Sequence, residues 1–355
     1  MGAAIAKAYA FDSATPVGSG GHCDLLKIYD ATDKKTGAPA TVFLLDAERL
    51  ALLTQGESKG KRAALLEVLK KDVANLEEIG GGHSILKVLW VPEGSAAGSS
   101  SSFMSSMSSL GRSAGSPELA FATERVCCSL LNETERFATA GAAALSQPEL
   151  ANGLGNLCEA LHHLRASTWR EAAGKRWVHL GLCPENVWLT ATGCWRLGGF
   201  GHALALKPEE ASTLCPHWVG AAGSGGVSAA AATSISSVAP LRLAPRLVYA
   251  APECTAEAAP RVSPATDIWA LGALMYELYR SSASASPNGC SLLNCGDESV
   301  ARHRAAVTAL PTTLEPLLQR LPPAVPPLLR MLLADQIGAR PDPGSIMAHQ
   351  VFQTA

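Results

Sequence analysis

Apolar positions in the first third of the chain fall into short β-type runs. Leu25–Tyr29 and Thr41–Leu45 read as strands, and the turn-rich Asp30–Pro39 between them reads as a hairpin connection. The period then changes. Leu65, Leu66, Leu69, Val73 and Leu76 recur at three- and four-residue spacing, which predicts a helix over Arg62–Ile79, stopped by Gly80–Gly82. Leu86–Val91 and Leu119–Thr123 read as two further strands. From Glu149 onward the pattern is mainly helical. Leu154, Leu157, Leu161 and Leu164 form one apolar face, and Ile268–Tyr279 is apolar almost all round. Further helices are predicted over Val300–Leu310, Leu317–Leu333 and Pro343–His349. A strand-rich front and a helix-rich rear predict an α+β chain with two lobes.

Low-complexity stretches interrupt this pattern. Gly94–Pro117 is Ser/Gly-rich and reads as a flexible insertion, and residues 221–239 are Ala/Ser/Gly-rich and read likewise. Ser281–Asn294 reads as a loop. Long surface insertions cost little in closure entropy, so these segments require no function of their own. No internal repeat is present.

Composition narrows the picture further. The chain has 355 residues, of which 47% are hydrophobic and 17% charged, enough apolar material for a substantial core. A net charge of −2 points to no nucleic-acid partner. No run of 18 or more residues is dominantly apolar, so no membrane span is predicted. Met1–Ala10 lacks the pattern of a signal peptide, and Ala at position 6 argues against myristoylation of Gly2. The ten cysteines are scattered, with Cys127 and Cys128 adjacent and no C-x-x-C pair. That usage suits a reducing compartment, with most thiols acting as small buried apolar groups.

Four segments carry candidate chemistry. Gly18-Ser-Gly20-Gly21 precedes the first strand. His179-Leu-Gly-Leu-Cys-Pro-Glu-Asn186 leads into the strand Val187–Thr190. Gly193-Cys-Trp-Arg-Leu-Gly-Gly199-Phe200-Gly201 follows. Ala251-Pro252-Glu253, Asp267-Ile-Trp-Ala-Leu-Gly272 and Arg340-Pro341 complete the series. In this order and spacing they resemble the glycine loop, catalytic loop, metal-binding loop, substrate-loop terminus, central helix and late arginine of protein kinases. Leu119-Ala-Phe-Ala-Thr-Glu-Arg-Val126, Pro184-Glu-Asn186 and Gly193–Phe200 are similar to the SCY-like pseudokinases, in particular the coated-vesicle-associated branch. The similarity spans about residues 11–352 apart from the insertions. It implies one bilobal protein-kinase-like domain, with a small β-rich N-lobe over 11–126 and a larger helical C-lobe over 127–352. It also implies protein partners among vesicle-coat or adaptor components, and a cytoplasmic location, peripheral on Golgi or endosomal vesicles. Family members carry clathrin contacts in later helical-repeat and tail regions, and those contacts are not transferred to these residues.

The positions that phosphoryl transfer needs have changed. Transfer is mostly positioning and charge neutralisation, by a lysine, a catalytic base and magnesium ligands. Phe43 stands at the third-strand lysine position, Gly181 at the base position, Cys183 at the phosphate-facing lysine of the catalytic loop and Gly199 at the metal-binding aspartate. Asn186 is kept, a single weak oxygen ligand. Cys183 has no evident base beside it. Asp72 falls about where the partner glutamate of the lysine would lie, and with no lysine to pair it reads as a solvated helix residue. Gly18, Gly20 and Gly21 remain as a nucleotide-binding remnant, but Cys23 replaces the third glycine. Trp188 takes the place of the aliphatic residue under an adenine ring, and Thr41 that of the alanine above it. ATP binding is therefore expected to be weak or absent, and no other cofactor or metal is expected.

The scaffold positions survive. His179, Phe200 and Leu76 match residues that stack in the kinase interior, and His179 reads as a packed core histidine. Asp267 resembles the buried aspartate that anchors the catalytic-loop backbone. Glu253 and Arg340 resemble a buried ion pair. The sequence thus predicts a catalytically inactive scaffold, not an enzyme. Two alternatives are an atypical serine/threonine kinase with substitute residues, drawn from Lys27, Lys34, Lys35, Asp46 and Glu185, and a nucleotide-sensing pseudokinase without turnover. None of those five residues occupies a catalytic position of the motifs.

Overall fold

A computed structural model describes residues 2–92, 119–140, 145–165, 175–207, 209–217, 242–256, 259–282, 291–297 and 299–353. The predicted insertions at 94–117 and 221–239 lie outside the described residues, as does most of the loop expected over Ser281–Asn294. The protein is mixed α+β. In chain order it runs α1 (Gly2–Ala8), β1 (Tyr9–Phe11), β2 (Gly18–Gly20), β3 (Leu26–Asp33), β4 (Pro39–Leu45), α2 (Ala47–Leu53), α3 (Lys59–Ile79), β5 (Val88–Trp90), β6 (Ala120–Thr123), β7 (Cys128–Ser129), α4 (Leu130–Ala140) and α5 (Gln147–Arg165). It continues with β8 (Arg176–Val178), β9 (Val187–Leu189), β10 (Trp195–Leu197), β11 (Leu204–Leu206), β12 (Thr213–Leu214), β13 (Arg261–Val262), α6 (Pro264–Ser282), α7 (Val300–Leu318), α8 (Val325–Leu332) and α9 (Pro343–Met347).

Two compact units result. The first comprises Met1–Ala143, Asn152–Ala160 and Pro184–Ala203, and the second Ala144–Ala151, Leu161–Cys183 and Leu204–Ala355. The first unit is built on an antiparallel sheet in the order β1-β3-β4-β6-β5, with β2 also pairing β3. Strand β4 reads Pro-Ala-Thr-Val-Phe-Leu-Leu without polar alternation because the sheet is covered on both faces. Tyr29, Ala31, Ala40, Val42, Ala120 and Ala122 form one face, packed with Ile5 of α1 and with Tyr9. Ile28, Phe43 and Phe121 lie in one cross-strand row on the other. Helix α3 starts at Ser58, whose hydroxyl accepts the Lys61 N–H, and stops at Gly80, which is left-handed at φ +89° with its N–H on the Leu76 carbonyl.

In the second unit β8 pairs with β11, and β12 with β13. Gly272 on α6 packs against Leu332 and Leu333, so the apolar α6 is buried on α8. Here two helix predictions are corrected. The helix expected to end at Leu310 runs on to Leu318, with Pro311 and Pro316 inside it, and the single helix expected over Leu317–Leu333 does not form. The break falls instead at Gln319–Ala324, where the consecutive Pro322 and Pro323 disfavour the helical conformation before them. The hairpin connection is tighter than the predicted Asp30–Pro39, since β3 continues to Asp33 and the Asp33 carboxylate accepts the Lys35 and Thr36 N–H groups to make the turn. Three helices, α1, α2 and α4, went unforeseen. Helix α2 spans only seven residues, too few to show a period, and is fixed by Asp46, whose carboxylate accepts the Glu48 and Arg49 N–H groups.

Candidate functional site

The candidate site lies in the first unit, where the glycine segment, β4, β6, β9 and the turn Phe200–His202 meet. Phe43 is fully buried and stacked on Phe121, with ring centroids 4.7 Å apart and planes at 18°. Trp188 meets the Phe43 ring edge-on at 4.8 Å. The indole also lies flush against two glycines. A β-carbon on Gly20 would come within 2.6 Å of Trp188 Cη2, and one on Gly198 within 2.8 Å of its Nε1. The three rings form one apolar block directly under the glycine strand.

That strand is held by hydrogen bonds to protein. Ser19 N–H donates to Asn132 Oδ1 at 2.8 Å, and Asn132 Nδ2 donates back to Ser19 Oγ at 3.3 Å. Gly21 N–H donates to the Glu185 carbonyl at 2.7 Å. Gly21, Cys23 and Asp24 follow in left-handed conformations, with φ of +71°, +60° and +55°. Glycine adopts these freely, and the two L-residues pay in strain. Arg49 supports them, donating from Nε to the Cys23 carbonyl at 3.1 Å and pairing with Asp24 at 3.3 Å. Thr41, fully buried, donates to the Val126 carbonyl at 3.0 Å and accepts the Val126 N–H at 2.9 Å. Both polar groups of the Val126 backbone are thereby engaged within the protein.

Asp72 is a correction to the sequence reading. It is buried at 5% exposure rather than solvated, and accepts the Phe200 N–H at 2.6 Å. Asn75, one turn along α3, donates to the Phe200 carbonyl at 2.8 Å. Helix α3 thus clamps both polar groups of one peptide residue. Burial pushes the Asp72 carboxyl up to about 7, against the pull of the Phe200 amide, His22 and the Gly199 amide.

Gly199 is left-handed at φ +77°, and a β-carbon there would come within 2.1 Å of Asn186 Cγ. Asn186 is itself buried at 3% exposure. An aspartate at 199 would therefore need both a strained backbone and a displaced Asn186. Gly18 is less closely packed than Gly20: a β-carbon on it would stand 2.8 Å from Asn132 Oδ1 and 3.4 Å from its next neighbour. Leu76 and Phe200 are buried in this unit.

The remaining sequence-predicted residues belong to the second unit. Asp267 is buried and accepts the His179 N–H at 2.7 Å and the Leu180 N–H at 2.8 Å, while Gly181 N–H donates to His179 Nδ1 at 3.1 Å. Burial pushes the Asp267 carboxyl up to about 7, with the two amides pulling it down. Glu253 and Arg340 form a two-pronged pair at 2.7 and 2.9 Å, and Arg340 also stacks over the Trp269 ring at 5.2 Å. Cys183 is buried, at 3% exposure.

Of the candidate substitutes, Lys27 pairs with Asp46 at 3.1 Å, and Asp46 also caps α2. Lys34 donates to the Ala6 carbonyl, and Lys35 stands in the Asp33 turn. Sequence reasoning missed Asn132, Phe121, Asn75 and the buried pair His22 and His202. Phe121 lies in a quoted motif without a role of its own there, and no local motif marks the others, because each acts on a residue distant in sequence. No protein-family model matches the chain. Among the described residues no helix is long and apolar enough to cross a membrane.

Proposed function

We propose that this protein is a catalytically inactive, protein-kinase-like scaffold. The observation that carries the reading is the aromatic block of Phe43, Phe121 and Trp188 beneath a glycine strand whose Ser19 and Gly21 amides are bonded to Asn132 and Glu185. If the motif resemblance holds, that block occupies the room an adenine ring would need. The same resemblance puts an uncharged side chain, or none, at the lysine, base and metal-ligand positions: Phe43, Gly181 and Gly199. One preorganised charge is worth about a hundred- to a thousand-fold in rate, so loss of all three leaves little transfer. Binding to vesicle-coat or adaptor proteins, at peripheral cytoplasmic membranes, is the part of the proposal that rests on the family resemblance alone.

Thermal unfolding with and without millimolar ATP, each with and without magnesium, tests it. A ligand at 100 times its dissociation constant stabilises the native state by about 2.7 kcal/mol. No shift under any condition is the expected result. A shift without magnesium would replace the scaffold by a nucleotide-sensing pseudokinase, and a magnesium-dependent shift would reopen the case for an enzyme.

A further inference from the structure

Apart from the kinase-like motifs, the first unit buries a direct contact between two imidazoles. His22 Nδ1 and His202 Nε2 are 3.4 Å apart, with ring centroids at 4.7 Å and planes at 73°. The residues are 6% and 3% exposed. His22 opens the turn His22–Asp24 just after the glycine segment, and His202 closes the turn Phe200–His202. The contact therefore ties together two segments that are 180 residues apart.

Charged groups surround it on every packed element. Helix α3 brings Asp72, whose carboxylate interacts with His22, and Lys71, which donates to the Ala203 carbonyl. Burial lowers the Lys71 pKa. On the side of the His22 turn stand Asp24 and Arg49, paired with each other. The turn Pro184–Asn186 adds the buried Glu185.

Between facing ring nitrogens one hydrogen can be shared, since a neutral imidazole offers one donor and one acceptor. One added proton gives a charge-assisted N–H···N contact. A second proton leaves two N–H groups facing each other and two like charges in the interior. We propose that the His22–His202 contact is an acid-released latch, which holds the segment after the glycine strand to the Phe200–His202 turn at neutral pH and lets go on acidification. With Asp72 kept on the Phe200 amide in both forms, the open imidazole pair binds one more proton than the closed pair, so falling pH favours opening. Free imidazole titrates near pH ~6.5, so acid opening sets in only below that value. This latch stands independently of the scaffold reading.

Hydrogen exchange of the full chain at pH 7.5 and 5.5, corrected for the intrinsic pH dependence of exchange, tests it in wild type, His22→Gln and His202→Gln. Amides of 22–24 should exchange up to about tenfold faster in wild type for each pH unit below the imidazole range. In both variants that acid-induced increase should vanish. Equal exchange at the two pH values in wild type, or the same increase in the variants, overturns the latch. If the variants do not fold, imidazole nitrogen resonances of the wild type decide. Uptake of two protons by the pair while these amides stay protected also overturns it.

Discussion

Gly20 and Trp188 are in such close contact that no side chain fits between them: a β-carbon on the glycine would stand 2.6 Å from the indole Cη2, 2.8 Å from the Glu185 carbonyl and 2.9 Å from Ser129 Cβ. None of these is the free end of a flexible chain. Gly20→Ala should therefore destabilise the protein by about 1–3 kcal/mol, the usual cost of overpacking. Gly60→Ala, in the exposed first turn of α3 with only Ser58 Oγ at 3.8 Å, should instead stabilise it by up to about 0.5–1 kcal/mol. Urea unfolding of the two variants separates close packing from a general effect of removing glycine.

Placing a lysine at position 43, where the kinase resemblance expects one, should fail. Phe43→Lys would bury an ammonium between Phe121 and Trp188, where Asp72 is already engaged by the Phe200 amide. Removing the phenyl ring alone costs about 3–5 kcal/mol. The expected outcome is a large loss of stability, read by urea unfolding, and no gain of phosphoryl transfer. A stable variant that turns over ATP would defeat the proposed function.

Gly199→Asp should be destabilising for a different reason. The backbone there is left-handed, and Asn186 fills the space a β-carbon would take. Strain at such a position costs on the order of 1–3 kcal/mol. The double variant Gly199→Asp, Asn186→Gly should recover part of the loss in a double-mutant cycle.

The Glu253–Arg340 pair is almost wholly enclosed, with side-chain exposures of 10% and 0%. Arg340→Ala leaves the glutamate buried and uncompensated, with an expected cost of about 3–5 kcal/mol. The double variant with Glu253→Gln should cost less than the sum of the two single changes.

His303 gives the second unit its own pH dependence. It is fully buried, with Nε2 donating to the Ala250 carbonyl at 2.9 Å and Nδ1 facing the Thr255 hydroxyl at 2.9 Å. Burial, chiefly, lowers its pKa. A depressed folded pKa means that the unfolded chain takes up the proton first. The contribution is complete above the free imidazole range near ~6.5 and is lost as pH falls towards the folded pKa. The stability difference between wild type and His303→Phe should shrink between pH 7.5 and 5. A difference constant over that range would show that His303 is not the group responsible.

Much of this was legible beforehand. The three- and four-residue spacing from Leu65 to Leu76 fixed α3, with Gly80 as its stop, because one helical face must be apolar and only glycine ends a helix left-handed at little cost. The run of β-formers at 41–45 fixed β4, and residue identity alone said that Phe43, Gly181 and Gly199 carry no charge. The end of α7 was not legible: the helix expected to stop at Leu310 runs on to Leu318, through Pro311 and Pro316.

What the sequence determined by itself, then, is local: periodicity, caps, turn residues and the chemistry each position can or cannot offer. Tertiary structure alone decided the pairings between distant positions. It buried Asp72 under Phe200, 128 residues away, set Trp188 against Gly20 and Phe43, and brought His22 to His202. The physical reason is that local preferences act over a few residues. A buried carboxylate, an indole against a glycine or a shared imidazole hydrogen takes its energy from partners the chain supplies only once it has folded.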